Sequence, residues 1–456
     1  MSSIGDIAKA IEAGKREYEN VISEESHDSF RINEIYGISR ASCDFENIAD
    51  HKDLRKYSDG RIALGDNLSY MKFLMDDENL KNKFQLIYAD PPFFSKSKYQ
   101  ASVYIDSPVL GKSPIVKAEA YSDIWIGDLY IYLKMLAVRI FMMRDLLSDR
   151  GCIVLHLDWH VVHYAKIMMD EIFGRSRFVN EIIWTYKSGG TNKMSFSKKH
   201  DVLLVYSKSS DYKFNPLKEK SYNRDYKPYR FKGVEEFCDE KGWYTLVNMK
   251  DVWNIDMVGR TSSERTGYAT QKPEKLIERI IKAFSDEGDL CGDFFAGSGT
   301  FGAVCSKLNR YWVMCDSGNI ANSDEIMRML KLKKSFVVEL QDNKVNETEV
   351  YAELDLKEKS LKLRKYILKD MGKFECLNRK DLMGMQNYLK QDSLSFIKFW
   401  SVDFNFDGEI HRADRAILDQ KRVVNDISFD KNKNISLLGY DLLGNRCRWV
   451  CSREEN

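Results

Sequence analysis

The stretch GDLCGDFFAGSGTFGAVCSKL, residues 288–308, decides how the rest of the chain is read. A short apolar run, Leu290 to Asp293, ends in a glycine-rich turn that opens into a segment with helical apolar spacing. Glycines at 297 and 299 permit a tight strand-to-helix turn and let a ligand approach the backbone. No lysine follows Gly299, so the turn is not a P-loop. Asp316 ends the next strand-like run, 17 residues after Gly299, near the spacing at which a carboxylate meets a ribose in nucleotide-binding folds. Taken alone, the same residues also suit a plain strand-to-helix turn followed by a strand-end carboxylate.

Working outward, the pattern repeats. GRIALGDNLSYMKFL (60–74) and KFQLIYADPPF (83–93) are apolar strands running into loops. DLYIYLKMLAVRIFMMRDLL (128–147) has the spacing of a long buried helix, GCIVLHLD (151–158) is a continuous apolar strand, and HVVHYAKIMMDEIFG (160–174) is a helix closed by Gly174. A second series runs from QKPEKLIERIIKAF (271–284) to RYWVMCDSG (310–318). Strands alternating with helices predict an α/β fold, a largely parallel sheet covered on both faces. Residues 1–50 read as a polar helical extension. The segment after about 330 reads as charged and helical, then ends in two strand-like runs.

Between the two series, Lys187 to Lys232 carries 12 Lys or Arg against 4 Asp or Glu, a net +8, with eight Phe or Tyr interleaved. Basic residues attract phosphates and aromatics offer faces to unpaired bases, although a solvated hairpin insertion has the same composition. The whole chain is nearly neutral at +1, so any attraction to nucleic acid must be local. With 456 residues, 43% hydrophobic and 30% charged, it reads as globular, with no apolar run long enough for a bilayer and no signal-peptide pattern at its start. A cytoplasmic protein is expected. Nine scattered cysteines lack zinc-site spacing and are expected to be free and mostly buried. His156, His160 and His163 cross from strand to helix without firm ligand geometry. We expect no metal there, and core packing or substrate-side hydrogen bonding instead.

Taken together, DPPF at 90–93, FAGSGT at 295–300 and TQKPE at 270–274 resemble the DNA amino-methyltransferases, which methylate an exocyclic base nitrogen. LGDNL (64–68), YSDIW (121–125), VNEIIWTYKSGG (179–190) and KKHDVLLVYSKS (198–209) resemble further blocks of that family. The block order is similar to the beta class, which includes modification subunits of type III restriction systems and stand-alone enzymes. The likeness covers roughly residues 60–325. It implies a Rossmann-like methyltransferase sheet in two parts, 51–186 and 251–330, split by a target-recognition insertion at 187–250. A C-terminal α+β accessory region, 331–456, follows.

The resemblance also implies S-adenosylmethionine as cofactor. Phe295, Gly297 and Gly299 then pass close to its methionine part, with Asp293 leading into the turn. Ser298 and Thr300 meet the carboxylate at a helix N-terminus, where the dipole favours an anion. Asp316 would bind the ribose, Asp66 and Asn67 would lie at the adenine, and Lys272 and Pro273 would close over the methionine end. Phe294 stands where many relatives have proline. Catalysis falls to Asp90, Pro91, Pro92 and Phe93. Asp90 and the Pro91 carbonyl each accept one amine N–H, orienting the nitrogen lone pair, and the prolines stiffen the backbone. Phe93 stacks on a base flipped out of the duplex. Lys96, Lys98, Lys187, Lys193, Lys198 and Lys199 are assigned to DNA phosphates. An aspartate at the first position of DPPF favours adenine N6, because cytosine-N4 members more often carry serine there. Double-stranded DNA is the implied partner, and the likeness leaves room for a homodimer and for a restriction or helicase subunit docked on 331–456.

Overall fold

The structure, a computed structural model, describes residues 3–24, 29–37, 55, 58–76, 78–105, 107, 115–125, 129–187, 193–342, 347–355, 357–368, 379–419, 421–427 and 433–451. In chain order, α1 (Ser3–Ser23) and β1 (Phe30–Tyr36) precede β2 (Gly60–Leu64), α2 (Asn67–Asp76) and β3 (Phe84–Ala89). A hairpin, β4 (Lys98–Tyr104) and β5 (Ile115–Ser122), leads to α3 (Leu129–Leu146), β6 (Leu147–Leu157), α4 (Val162–Phe173), β7 (Phe178–Thr185) and β8 (His200–Ser207). Next, β9 (Lys218–Tyr222), β10 (Phe237–Asp239) and β11 (Gly242–Asn248) make a separate three-stranded sheet. The chain returns through β12 (Val252–Asn254), α5 (Glu274–Phe284), β13 (Leu290–Asp293), α6 (Thr300–Lys307), β14 (Tyr311–Asp316), α7 (Asn319–Lys331) and β15 (Phe336–Gln341). The C-terminal part comprises β16 (Glu347–Asp355), β17 (Ser360–Ile367), α8 (Arg379–Gln391), β18 (Ile397–Phe406), β19 (His411–Arg412), β20 (Arg415–Ile417), β21 (Val423–Val424), β22 (Asn434–Asp441) and β23 (Arg446–Cys451).

Eleven strands form the central sheet in the order β12-β7-β8-β6-β3-β13-β14-β2-β15-β1-β19. From β6 to β15 all six strands are parallel, and β8 and β1 join antiparallel on either side. Along β3, Phe84, Ile87 and Ala89 face one hydrophobic core, shared with α1 to α4, while Leu86 and Tyr88 face another, shared with α5 to α7. Burial on both faces is what a near-continuous apolar strand requires. The predicted α/β sheet with helices on both faces is therefore the observed architecture. Among the described residues no helix is long and apolar enough to cross a membrane, and five of the seven described cysteines, all free thiols, are buried.

Three expectations shift. The N-terminal segment is built into the body rather than extending from it: Gly14 of α1 lies so close to α3 that an added Cβ would come within 2.6 Å of the Ala137 Cβ. Likewise β1 pairs with β15 in the central sheet; residues 38–50 lie outside the described residues. Within the expected insertion, 187–250, β8 is a buried strand of the central sheet, and the segment after Ser207 leaves it for the separate three-stranded sheet. Finally, residues 360–367 are a strand, not a helix. Leu361 and Leu363 alternate with Lys362 and Arg364, a period of two that the high charge obscured. The C-terminal seven-stranded sheet is joined to the body by β19, which pairs with β1. It is also held by the buried Glu34, which accepts from the Tyr36 and Tyr440 hydroxyls and faces Arg446 at 2.9 Å.

Candidate active site

Strands β3 and β13 lie side by side, with Tyr88 opposite Asp293, but the chain leaves them in opposite directions along the sheet. After β13 it proceeds to β14; after β3 it proceeds to β6. Such a reversal opens a crevice at the carboxyl ends of the strands. A cavity of about 680 Å³ occupies it, and Asp90, Phe93, Gly297, Asp316, Asp66 and Lys272 are among its walls. Along the sheet edge the order is Asp90 on β3, the Phe295–Thr300 turn on β13, Asp316 on β14 and Asp66 beyond β2. Four strand ends span roughly 14 Å at the usual spacing.

At the glycine-rich end, Gly297 and Gly299 adopt positive φ, +52° and +71°. A Cβ on Gly299 would lie 3.0 Å from the Glu325 Cγ, and one on Gly297 would lie 3.3 Å from the Tyr268 ring. Asp316 holds the turn by accepting from the Gly297 N–H (2.9 Å) and the Gly318 N–H (2.8 Å). Ser298 and Thr300 are buried, with their hydroxyls 3.3 Å apart. Thr300 donates to the Lys272 carbonyl and accepts from Arg328 at 2.9 Å. Pro273 is the N-cap of α5. Asp293 is buried and donated to by the Phe295 N–H, and burial, with the charges of Asp90 and Asp316, pushes its carboxyl well above the usual range. Asp66 pairs with Arg139 at 3.1 Å, and Asn67 bridges Arg139 and the Phe294 carbonyl. Arg139 comes from the middle of an apolar helix pattern, where nothing marked it as a site residue.

Across the crevice, Asp90 is ion-paired through Oδ2 with the Lys272 ammonium. Its other oxygen, Oδ1, is buried and has no hydrogen-bond partner among the described residues. The Lys272 carbonyl accepts from Thr300 of the glycine-rich turn, while its ammonium reaches the Asp90 carboxylate and lies 5.2 Å from the Phe93 ring centroid. The Pro92 carbonyl is fixed by the Tyr132 hydroxyl at 2.7 Å. Phe94 takes φ +60°, unusual for a non-glycine residue, and packs on Tyr132 at 5.5 Å, leaving the cavity wall to Phe93. Asp123 of the YSDIW block locks this loop, accepting from the Phe94 and Ser95 N–H groups, the Ser95 hydroxyl and the Trp125 indole.

Beneath Asp90 lies a buried polar chain that sequence reasoning only half found. The Tyr88 hydroxyl is 2.7 Å from His156 Nδ1, and His156 Nε2 is 3.4 Å from Asp201, which accepts from the Tyr186 hydroxyl at 3.0 Å. Asp201 sits within the KKHDVLLVYSKS block, but nothing in the pattern distinguished it from a strand-start aspartate.

Of the lysines assigned to DNA, Lys98 pairs with Glu119 at 3.0 Å and Lys187 with Asp256 at 3.7 Å. Lys96 lies 5.4 Å from the Phe94 ring. Lys198 sits 3.2 Å from the ring centroid of the exposed Trp159. Lys193, Lys198 and Lys199 belong to the β7–β8 connection, which reaches the same sheet edge as Asp90, and its Phe196 is 97% exposed. Residues 188–192 lie outside the described residues. His160 is bonded to Asp158 at 2.7 Å, and no cluster of three metal-ligating side chains occurs among the described residues.

Fold and site together define a nucleotide-type crevice with a carboxylate poised beside it, the layout of an α/β group-transfer enzyme. The family model described as DNA methylase, that of the N6/N4 methyltransferases, matches residues 84–321, just over half of the chain, and the chain belongs to this family. Members use S-adenosylmethionine. The type II methyltransferase M.HpaI of Haemophilus parainfluenzae is 27% identical over 236 residues, covering 52% of this chain and 65% of that protein. The StyLTI Mod subunit of a type III restriction-modification enzyme from Salmonella typhimurium is 26% identical, covering 60% and 54%. This chain thus spans less than two thirds of either relative. Among solved structures, the M1.HpyAVI–SAM complex aligns over 59% of this chain and 98% of that one, at 19% identity and a TM-score of 0.38.

Proposed function

We propose that this chain methylates the exocyclic N6 of adenine in double-stranded DNA, acting on a base flipped out of the helix, with S-adenosylmethionine as donor. The buried, unpartnered Asp90 Oδ1 at the cavity wall carries this reading. A buried acceptor left without a donor costs about 1–3 kcal/mol, and an amine N–H from the base would satisfy it.

The residues present fit the cofactor. Bound there, S-adenosylmethionine supplies an electrophilic methyl group on a positively charged sulfur. Phe295, Gly297, Ser298 and Thr300 line the cavity, and the Phe295–Thr300 turn ends at the N-terminus of α6, suited to a carboxylate. Asp316 and Asp66 follow along the edge, in reach of an extended nucleoside. Asp90 and the Pro91 carbonyl would draw the amine nitrogen toward tetrahedral geometry, and Phe93 would stack on the base. Orientation and electrostatic complementarity then do the work, with no covalent intermediate.

An aspartate at position 90, rather than serine, supports adenine over cytosine N4. We assign DNA contact to the β7–β8 connection and to the insertion through residue 250, with phosphates setting register and base edges read in the groove. Residues 331–456 form the accessory domain; the similarity to a Mod subunit favours a second role for it, docking a restriction or helicase partner. Methylation-sensitive long-read sequencing of DNA from cells expressing the wild type, against an Asp90→Ala control, tests the main reading. N6-methyladenine at one recurring sequence is expected only with the wild type. N4-methylcytosine alone would overturn the choice of base, and equal methylation in both would overturn the site.

A further inference from the structure

We propose that His156, held by Asp201, receives the proton that Asp90 takes from the methylated amine. This rests on the methyltransferase reading above and extends it to a step that the Asp90 contacts leave open. The nitrogen lone pair makes the new N–C bond while the pair of the broken S–C bond stays on sulfur, so the nitrogen is left with one proton in excess. Asp90 Oδ1 is placed to accept it. A proton parked on Asp90, however, opposes its pairing with the Lys272 ammonium and blocks the acceptor for the next base.

His156 is completely buried yet lies between two carboxylates. Its Nδ1 is 3.9 Å from Asp90 Oδ1 and its Nε2 is 3.4 Å from Asp201 Oδ2. Burial and the nearby Asp90, Asp293 and Asp201 charges keep the Tyr88 phenol protonated, so Tyr88 donates to Nδ1. That assigns the imidazole proton to Nε2, which donates to Asp201. The basic nitrogen of His156 therefore lies 3.9 Å from Asp90 but is engaged by the Tyr88 hydroxyl, which must turn away for Nδ1 to take a proton, while the N–H face meets an anion. Burial alone would raise the Asp201 carboxyl, but the hydrogen bond from His156, with the Lys272 charge and the Tyr186 hydrogen bond, holds it below the usual range. Proton arrival turns the imidazole into an imidazolium facing an ionised carboxylate, the arrangement that stabilises it. Asp201 and Tyr186 both line the cavity, which gives the proton a way out. The groups that face His156 are Tyr88 and Asp90 from β3 and its end, Asp201 from β8 and Lys272 from the loop before α5, with the Phe93 and Trp184 rings closing the sides.

The test is single-turnover methylation of a duplex oligonucleotide across pH, with cofactor and DNA affinities measured separately, for wild type, H156Q, D201N and D90A. Nitrogen resonances of ¹⁵N-histidine-labelled, cofactor-free protein supply a readout independent of turnover. We expect H156Q to be slowed roughly 100-fold, the scale of a lost general base, with both affinities within about twofold of wild type. The pH profile of the rate should differ from that of the wild type, and part of the loss should be recovered at high pH. D201N should be slowed less and should shift the His156 tautomer from Nε2–H toward Nδ1–H. An H156Q rate within threefold of wild type, or an unchanged pH profile, would overturn the relay. If H156Q does not fold, a wild-type Nδ1–H tautomer or an unaltered D201N spectrum does so. Inactive D90A beside intact H156Q removes the relay alone, whereas active D90A removes the site reading beneath it.

Discussion

Lys272 holds one oxygen of Asp90 and leaves the other buried and unpartnered. The carboxylate is thereby fixed in orientation before any base arrives, with one acceptor left unused at a residue of the cavity wall. Asp90→Ala should lower methylation by roughly 10²–10³ or more, the scale of removing a preorganised electrostatic partner. Cofactor affinity, measured calorimetrically, should be little changed, because the groups proposed for the nucleoside stand on other strands. A parallel loss of cofactor binding would argue that Asp90 belongs to the other half of the crevice.

Removing the other partner has a different signature. With side-chain exposures of 9% and 17%, the pair is shielded enough that Lys272→Met should strand a largely desolvated carboxylate. We expect a stability loss of about 1–3 kcal/mol, read as a shifted urea midpoint. Asp90→Asn in the same chain should return most of it. An additive double mutant would mean that the two side chains are not coupled.

Legibility in the sequence followed the kind of order each residue obeys. Strand-to-helix alternation and the DPPF and FAGSGT turns are local patterns, and the structure brings Asp90, Phe93, Gly297, Asp316 and Asp66 to one crevice. What escaped was long-range. Arg139 reaches Asp66 from a helix 73 residues away, and Asp201 meets His156 across 45 residues. Neither pairing has a periodicity to betray it. The pair of Lys272 with Asp90, 182 residues apart, is long-range in the same way. In β17, charge at every second position concealed a two-residue period.

Gly299 meets two constraints at once, a left-handed backbone and the Glu325 side chain 3.0 Å from where a Cβ would stand. Glu325 has little freedom to yield, since it is buried, and burial, with the nearby Asp316 and Asp293 charges, pushes its carboxyl well up. Gly299→Ala should therefore distort the turn, weakening cofactor binding at least tenfold and lowering stability by about 1–2 kcal/mol. Equilibrium dialysis with labelled cofactor decides it; wild-type affinity would show that the turn can open without loss.

Lysines that neutralise phosphates announce themselves through salt. If Lys193, Lys198 and Lys199 each neutralise one phosphate, the triple alanine variant should flatten the slope of log affinity against log salt by roughly 0.9 for every phosphate left without its lysine. Methylation at saturating DNA should persist, because none of the three lines the cavity. An unaltered slope, with affinity reduced equally at all salt concentrations, would point to a packing role, for instance through Lys198 on Trp159.

The stability of the sheet itself should depend on pH through Glu339. This carboxylate is fully buried between strands, bonded to Arg61 at 3.0 Å, to Arg55 at 2.5 Å and to the Tyr70 hydroxyl. Burial raises its pKa, but the two guanidinium charges outweigh that, and the net shift is downward. A depressed folded-state pKa means that the contribution is fully present above the unfolded value, near 4.3 for glutamate, and is lost as pH falls through the folded value. Wild-type unfolding midpoints should accordingly drop steeply below about pH 4.3. Glu339→Gln, which leaves the two guanidiniums of Arg55 and Arg61 to share Glu78 as their remaining carboxylate, should cost about 3–5 kcal/mol at neutral pH and show a shallower acid slope. Equal slopes in the two proteins would place the acid sensitivity in other carboxylates.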